Sequence, residues 1–442
     1  MKSFVSALGM TTAAFAVVGS ANAADLPSRK AAPVEYVRVC SAFGAGFFYI
    51  PGTDTCLRVG GRVRAEYLVQ QRFNPRGLDV ADQYGMRARG RIFLDARNQT
   101  SYGTLRTFIR VDTTISNGSY ASAQGTNSTG PIFTTTRGGA GATSVGLDRA
   151  FIQFGPITAG RSQSFFDFYA DTLNYGPIRT TDAVTNLLAY TATFGSGISA
   201  TISLEDRIEK ELSAPGFTAA GQDYPDLIGS LNVTQGWGSA QLSGAVFQRK
   251  TAATITSPTT TSFDKTGFAI QGGVKFNLPM LAAGDELWLQ AAYSEGGISY
   301  IGYGGNSGTW GQNSNVGRLL FTNADASVTA AGQVKLTKGY SFVAGFLHYW
   351  TPTIRQGIYG SYSKLDYANG IGAVNAIGQD PTEWRVGSNL IWSPVSGLDI
   401  GVEVLYAKAQ VKNLVQAQGR PAGVLLKSDD AFQGRLRIQR DF

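Results

Sequence analysis

Arginine is the residue type whose spacing most clearly suggests a chemical role. In three early segments, guanidinium groups recur at intervals of two or four residues, at Arg58, Arg62, Arg64, Arg87, Arg89, Arg91, Arg106 and Arg110. In an extended strand, residues an even number apart project from the same face. A guanidinium stays protonated at any relevant pH and forms a rigid planar fork. The pattern therefore predicts concentrated positive charge along one face of several strands.

Residues that could support catalysis or bind a metal are sparse. His348 is the only histidine, and Cys40 and Cys56 are the only cysteines, so a two-Cys, two-His zinc site is excluded. Asp399 and Glu403 share a strand face, but four residues of strand place them about 13 Å apart. Glycoside hydrolysis requires a separation of roughly 5 to 9.5 Å. No G-x-S-x-G nucleophile elbow accompanies His348. The sequence predicts neither a cofactor nor a metal, and favours a protein that is not an enzyme.

The segments that carry the arginines have the alternation of two-sided strands. Over residues 57–70, apolar residues such as Val59 and Val63 alternate with the arginines and with Glu66. Similar alternation recurs at 86–97, 103–113, 198–204, 240–246, 287–293 and 398–406, and a five-residue turn is expected at 98–102. A soluble β-sandwich would also alternate. However, many of the apolar residues are small and the polar faces are dense in arginine. This favours an all-β, transmembrane antiparallel barrel, apolar toward lipid and polar toward water.

Composition is consistent with strands that cross a membrane. Glycine accounts for 55 of the 442 residues, aromatic residues for 11% and charged residues for only 16%, with a formal net charge of +7. The mean hydropathy is −0.06. Beyond the N-terminus there is no run of about 18 apolar residues, so any crossing must be made by strands. Tyr349, Trp350, Trp384 and Trp392 are candidates for the aromatic girdles of such a barrel.

The N-terminus has the features of a secretory signal. Lys2 is followed by an apolar stretch at 7–18 and by a small-x-small triplet at 21–23. These features predict a signal peptide at residues 1–23 and a mature chain at 24–442. An exported compartment is oxidising, so we expect a single loop-closing disulfide between Cys40 and Cys56.

The C-terminus has the pattern of a barrel-closing strand. Phe432, Leu436, Ile438 and Phe442 alternate with polar residues, and the chain stops at the aromatic Phe442. A strand in this position could pair with the first strand and remove both exposed edges. Seventeen alternating segments are present, but a single-chain bacterial barrel needs an even number. We assign residues 328–336 to a loop arm, which leaves sixteen strands, with eighteen as the alternative.

Several stretches resemble a known family. They are ADLP at 24–27, YIPGTDTCLRVGG at 49–61 together with Cys40, DRAFIQF at 148–154, GRSQSFFD at 160–167, YWTP at 349–352 and LRIQRDF at 436–442. Together they are similar to the alphaproteobacterial porins, related in architecture to the general trimeric porins. The resemblance implies a sixteen-stranded homotrimeric barrel in the outer membrane of a Gram-negative bacterium. It also implies passive diffusion of small hydrophilic solutes and ions, and a third extracellular loop folded inward as a constriction.

The long connection at 165–187 is the expected constriction loop. It carries Asp167, Asp171 and Asp182, which would then oppose the arginines across a narrow passage. Opposite charges in that arrangement create a transverse field that penalises apolar molecules and lets ions and small polar solutes pass. The alternative is that the arginines simply pair with Glu66, Asp95, Asp112 and Asp148 in a structural network.

Two functions of other classes remain open at this point. An outer-membrane barrel enzyme such as a lipase or protease would need an acidic partner and a nucleophile for His348. An adhesin would use long loops such as 117–143 and 297–321. The expected partners are outer-membrane lipid, further copies of the chain and solutes in transit. Nucleic acid is not expected, because the basic residues fall on alternating strand faces.

Overall fold

The computed structural model describes residues 38–70, 84–118, 120, 133–137, 141–208, 210–212, 217–253, 262–304, 315–320, 323–328, 333–367, 379–416 and 423–442. The predicted signal peptide at 1–23 and the start of the mature chain lie outside these residues. Within them, no helix has the length and apolar character needed to span a bilayer.

Sixteen strands make up one antiparallel barrel in the described part of the chain. They are β1 (Cys56–Gln70), β2 (Tyr84–Thr100), β3 (Gly103–Gly118), β4 (Gly141–Phe154), β5 (Ile157–Gln163), β6 (Val184–Gly195), β7 (Ile198–Glu205), β8 (Asp226–Gln235), β9 (Gly238–Ala253), β10 (Ser262–Asn277), β11 (Glu286–Glu295), β12 (Lys338–Thr351), β13 (Ile354–Asp366), β14 (Thr382–Val395), β15 (Leu398–Gln416) and β16 (Leu425–Asp441). Each strand pairs with the next, and the predicted count of sixteen is confirmed. Of the segment assigned to a loop arm, the described residues lie off the barrel, where Ala326–Val328 pairs with Val334–Leu336.

The barrel closes between its first and last strands. β1 and β16 pair from Arg62 opposite Asp441 to Gln70 opposite Gln433. The backbone N–H of Gly61 donates to the carbonyl of Phe442 (2.9 Å), and the N–H of Phe442 donates to the carbonyl of Gly61 (3.1 Å). A Cβ on Gly61 would lie only 2.5 Å from the Phe442 ring, so glycine leaves room for that ring. Closure satisfies backbone groups that lipid could not hydrogen-bond.

Short turns lie at one end of the barrel and long connections at the other. The β2–β3 turn is tighter than the five residues predicted at 98–102, because Asn98 pairs with Leu105 and Thr100 with Gly103. Asn98 is a turn-forming residue type, yet here it continues the ladder. Gly103 takes the positive φ (+109°) that the tight turn requires.

The two faces of the wall divide as the alternation predicts. The outer face exposes apolar side chains such as Val63 and Ile92. Trp350 and Trp392 are exposed near the short-turn end of their strands, and Trp384 is exposed near the opposite end. Tyr349 packs over Gly284 in the neighbouring turn.

A short segment before β1 is bound to the barrel covalently. The predicted disulfide between Cys40 and Cys56 is present. Phe48 and Tyr49 also add a short strand beside the start of β1. Both cysteines are buried together with Phe47, so the segment has a small apolar core of its own.

Candidate functional site: the barrel lumen

The inner face of β1–β3 carries all eight arginines of the predicted row. They alternate along the strands with exposed outer residues such as Val63 and Ile92. In the β1–β2 register, Arg64 lies opposite Arg89 and Arg62 lies opposite Arg91. Like charges in directly opposed positions repel each other unless they are compensated.

Five of the eight guanidinium groups are compensated by carboxylates on the same wall. The pairs are Arg62 with Asp441 (2.5 Å), Arg87 with Glu66, Arg91 with Asp112 (2.7 Å), Arg106 with Asp95 (2.9 Å) and Arg110 with Asp148. Both carboxylate oxygens of Asp441 and of Asp112 accept a hydrogen bond from their arginine. Bidentate pairs of this kind fix side-chain orientation and cancel charge. These five arginines therefore form a structural network of ion pairs, as in the alternative given for the arginine row.

Arg58, Arg64 and Arg89 differ from the other five. Among the described residues, none of the three has a carboxylate within ion-pair distance. Arg64 donates to the amide oxygen of Gln439 (2.7 Å), and Arg89 donates to the hydroxyl of Thr114 (3.2 Å). Arg58 is exposed. Because no carboxylate neutralises them, these three side chains carry uncompensated positive charge on the inner face.

The connection between β5 and β6, residues 164–183, folds into the barrel and is called here the inward loop. Its side chains Phe166, Tyr169 and Ile178 are fully buried. Gln271 of β10 donates to the carbonyl of Phe166 (2.8 Å), and the N–H of Tyr169 donates to Gln290 of β11 (2.9 Å). The predicted inward fold of this connection is confirmed.

Glu403 of β15 anchors the middle of the inward loop. Its carboxylate accepts hydrogen bonds from the backbone N–H groups of Tyr175 (2.5 Å) and Gly176 (2.7 Å), and from the hydroxyl of Tyr359. Glu403 is only 2% exposed. A buried carboxylate is stable only with such donors. The middle of the loop is thus held against the wall at β13 and β15.

Arg179 fixes the far end of the inward loop. It is fully buried and pairs with Glu383 of β14 (2.7 Å). Its guanidinium also donates to the carbonyl of Gly302 (3.2 Å) and lies 3.8 Å from the centre of the Tyr303 ring. One side chain therefore joins the inward loop, the barrel wall and the connection that follows β11.

Asp167 lies at the base of the inward loop and not beside open space. It is 8% exposed. Its carboxylate accepts hydrogen bonds from the Thr181 hydroxyl (2.7 Å) and the Ala183 N–H (2.7 Å). Burial raises the pKa of Asp167 to about 7. The contacts join the two ends of the loop.

Asp171 and Asp182 reach the interior of the barrel. Asp182 is exposed, and the positive charges of Arg149 and Arg110 act on it. Asp171 is half-buried and accepts a hydrogen bond from Asn174 (2.7 Å). Asp171 adopts a left-handed backbone conformation (φ +53°), which is rare outside glycine and marks a constrained turn. Enclosure within the barrel and the nearby charge of Asp182 raise the pKa of Asp171 to about 8.

Comparison with known proteins agrees with this geometry. The profile of the "Porin subfamily" matches residues 25–435. Porin Omp2b of Brucella suis is 29% identical over 69% of this chain and 77% of its own length. Porin Omp2b of Brucella abortus (strain 2308) is also 29% identical, with the same coverage. Among solved structures, the outer membrane channel DcaP of Acinetobacter baumannii has a TM-score of 0.62 at 16% identity, covering 89% of this chain and 99% of DcaP, which shows a shared fold.

The chain belongs to the porin family. The porin is a multi-pass β-barrel of the outer membrane and forms a passive diffusion channel for small hydrophilic solutes and ions. The family resemblance seen in the sequence is confirmed.

His348 lies on the outer face of the porin, near the short-turn end of β12. Its Nδ1 lies 2.7 Å from a carboxylate oxygen of Asp285, and its ring meets Trp350 edge-on at 4.6 Å. Asp285 supplies the acidic partner that an enzyme would need. No serine or cysteine nucleophile is in hydrogen-bond contact with His348 in the described part of the chain. Within that part there is also no group of three potential metal-binding side chains.

A second inward-folded segment was missed by the sequence interpretation. The turn Ile298–Ile301 and the adjacent Tyr303 are buried inside the barrel. The Tyr300 ring meets Phe166 edge-on (4.7 Å) and stacks on Phe247 (5.0 Å). The predicted surface loop at 297–321 is thus partly internal, and its residues 305–314 and 321 lie outside the described ones. The run ISYIGY at 298–303 is too apolar for an exposed loop, and this was the available signal.

The last strand supplies two further interior arginines. Arg437 pairs with Glu66 (2.7 Å), and Arg435 donates to the carbonyl of Tyr175 in the inward loop. Both alternate with apolar residues in β16, so the sequence carried their signal. Their role in anchoring depends on closure of the barrel, which brings β16 beside β1.

Proposed function

We propose that solutes cross the porin between the β1–β3 wall and the inward loop, and that charge on these two surfaces selects them. The observation that carries the proposal is the split among the arginines. The positive charge of Arg58, Arg64 and Arg89 is left uncompensated, while the inward loop presents Asp182 and, above a pH of about 8, the ionised carboxylate of Asp171. A transverse field between such surfaces orients dipolar solutes and water.

Under this proposal the predicted pore residues have three distinct roles. The uncompensated arginines attract anions. The five paired arginines, Arg62, Arg87, Arg91, Arg106 and Arg110, hold the wall rigid and contribute little net charge. Asp171 and Asp182 face the passage, whereas Asp167 supports the loop base.

We further propose that three copies of the porin assemble side by side. β5 has seven residues and β7 has eight, whereas a strand needs about 9–11 residues to span a bilayer. The outer face here exposes Ile157, Ile202 and Leu204. A short apolar stretch of wall is better covered by another protein copy than by lipid. Native mass spectrometry should give three chains per particle, and a monomer would contradict this proposal.

The remaining expectations are proposed in the same way. Residues 1–23 are a signal peptide that is removed, so intact mass should fit a chain beginning at Ala24 and joined by the Cys40–Cys56 disulfide. Phe442 terminates the closing strand. The porin works without enzymatic activity, cofactor or metal, and contacts outer-membrane lipid but not nucleic acid.

Liposome swelling tests the proposed passage. Vesicles containing the porin should swell in uncharged sugars at a rate that falls steeply with sugar size. An anionic solute of equal size should enter faster than a cationic one. Equal rates for both charges would contradict charge selection while leaving a size-selective channel.

A further inference from the structure

Three phenylalanine rings stack in a row on the inner face of the barrel, toward its short-turn end. They are Phe93 of β2, Phe108 of β3 and Phe151 of β4, called here the aromatic shelf. The ring centres of Phe93 and Phe108 are 5.8 Å apart, and those of Phe108 and Phe151 are 5.2 Å apart. In both pairs the ring planes are only 23° from parallel. The three rings therefore form one offset stack along the wall.

Arginine side chains border the aromatic shelf. The Arg106 guanidinium lies 5.2 Å from the Phe108 ring centre and is compensated by Asp95. Arg58 lies 5.8 Å from the Phe93 ring centre. Unlike Arg106, it is exposed and has no carboxylate within ion-pair distance among the described residues. The shelf thus has a partly exposed apolar surface beside one guanidinium, that of Arg58, whose charge is uncompensated.

The wall accommodates the shelf at a specific glycine. A Cβ on Gly60 would lie 2.4 Å from the tip of the Phe93 ring, so only glycine leaves space for the ring over β1. The rings of Phe93 and Phe108 remain partly exposed. Apolar rings on a water-facing surface cost free energy, and exposed apolar patches often mark ligand sites. The inner face of a water-filled barrel is otherwise polar.

The aromatic shelf is separate from the uncompensated arginines Arg64 and Arg89. Phe93 is four residues from Arg89 along β2, which corresponds to about 13 Å. Moving toward the short-turn end, a solute would pass Arg64 and Arg89 first and the shelf afterwards.

We propose that the aromatic shelf is a binding station for solutes that combine a planar aromatic ring with a carboxylate. The solute ring packs against the exposed parts of the Phe93 and Phe108 rings, and the carboxylate binds the Arg58 guanidinium. This inference rests on the proposed passage and adds a solute class to it. Parallel-displaced ring contacts and guanidinium–carboxylate bonds are each favourable, and a solute that makes both is retained longer than one that makes either.

Ion-current block by three related anions tests the proposal. Benzoate, cyclohexanecarboxylate and acetate would be added in turn to a planar bilayer holding the full-length porin in KCl. Benzoate should block the current at a concentration roughly threefold to tenfold lower than cyclohexanecarboxylate, because only benzoate has a ring that stacks. Acetate should block least, and block by benzoate should be stronger from the short-turn side.

Variants separate stacking from charge. Phe93→Leu with Phe108→Leu should remove the preference for benzoate, and Arg58→Gln should weaken block by all three anions. Phe342→Leu, on the exposed outer face of β12, is the matched control and should change nothing. Equal block by benzoate and cyclohexanecarboxylate, or an unchanged preference in the double leucine variant, would overturn the inference. A KCl current that persists in these cases leaves the proposed passage intact, whereas no current at all would reject the passage itself.

Discussion

Replacing Arg64 and Arg89 together by glutamine should shift the ion selectivity of the porin toward cations. These two side chains are opposed in the β1–β2 register and have neutral partners, Gln439 and Thr114. Removing them takes two positive charges from the passage without leaving an unpaired carboxylate. Glutamine keeps hydrogen-bonding capacity, so the fold should be retained.

The size of the shift follows from Coulomb's law. One unit charge acts on a monovalent ion 4 Å away with about 1 kcal/mol in water. If an ion stayed 4 Å from both sites, losing the two charges would destabilise an anion by about 2 kcal/mol and stabilise a cation by about 2 kcal/mol. The difference between the two ions would then be about 4 kcal/mol, which is an upper limit. An ion spends only part of its transit so close, and the Debye length is about 10 Å at 0.1 M salt. We expect about a quarter of the limit, roughly 1 kcal/mol, which is about a fivefold change in the anion-to-cation permeability ratio.

The reversal potential under a KCl gradient measures this ratio directly. Arg440→Gln is the matched control. Arg440 is exposed on the outer face of β16, so this substitution removes one positive charge outside the lumen. The control should leave the reversal potential unchanged. Repeating the measurement near 1 M salt, where the Debye length is about 3 Å, should reduce the shift. An unchanged reversal potential in the double variant at low salt would refute the assignment of these arginines to the passage.

Three further predictions concern the inward loop and the N-terminal segment. Glu403→Gln removes a charged acceptor whose hydrogen bonds each contribute about 1.5–3 kcal/mol; single-channel recordings should show larger and noisier openings, and wild-type traces would contradict the anchoring role. Asp171 has a pKa of about 8, so it is ionised above that pH and protonated below it; anion preference should rise as pH falls from 9 to 7 (~1 unit either side of that pKa), and Asp171→Asn should abolish this rise. Reducing the Cys40–Cys56 disulfide, which spans 16 positions, should cost roughly 3 kcal/mol of order in that segment; limited proteolysis should then cut before β1, and equal resistance of the reduced and oxidised forms would contradict this.

The barrel was predictable from sequence because its signal is local. In β1, Val59 and Val63 face outward while Arg62 and Arg64 face inward, and period two is visible in the chain itself. The closing strand was predictable for the same reason, since Phe442 ends an alternating run. The sixteen-strand count also needed the rule that a single-chain barrel has an even number of strands.

Which arginines are left without a carboxylate partner could not be predicted, because pairing depends on strand register across the chain. Asp441 is 379 positions from Arg62, and only closure of the barrel brings them into contact. Arg64 is two residues from Arg62 and has the same face and chemistry, yet its neighbour in β16 is Gln439. Local periodicity carries no information about this difference.

The position of Asp167 was also beyond sequence reasoning. Its carboxylate is used at the loop base by Thr181 and Ala183, a contact that exists only once both ends of the loop meet. The second inward segment was missed for a different reason. Its burial depends on Tyr300 meeting Phe166 of another loop, and neither residue alone predicts the other.

Single-channel recording of the purified, detergent-solubilised porin tests the central claim most directly, because it asks whether the inner face of the barrel is an aqueous passage. We predict discrete stepwise current increments on insertion into a planar bilayer, with steps grouped in threes if copies assemble as proposed. A folded barrel that inserts into the bilayer but carries no current would contradict the account.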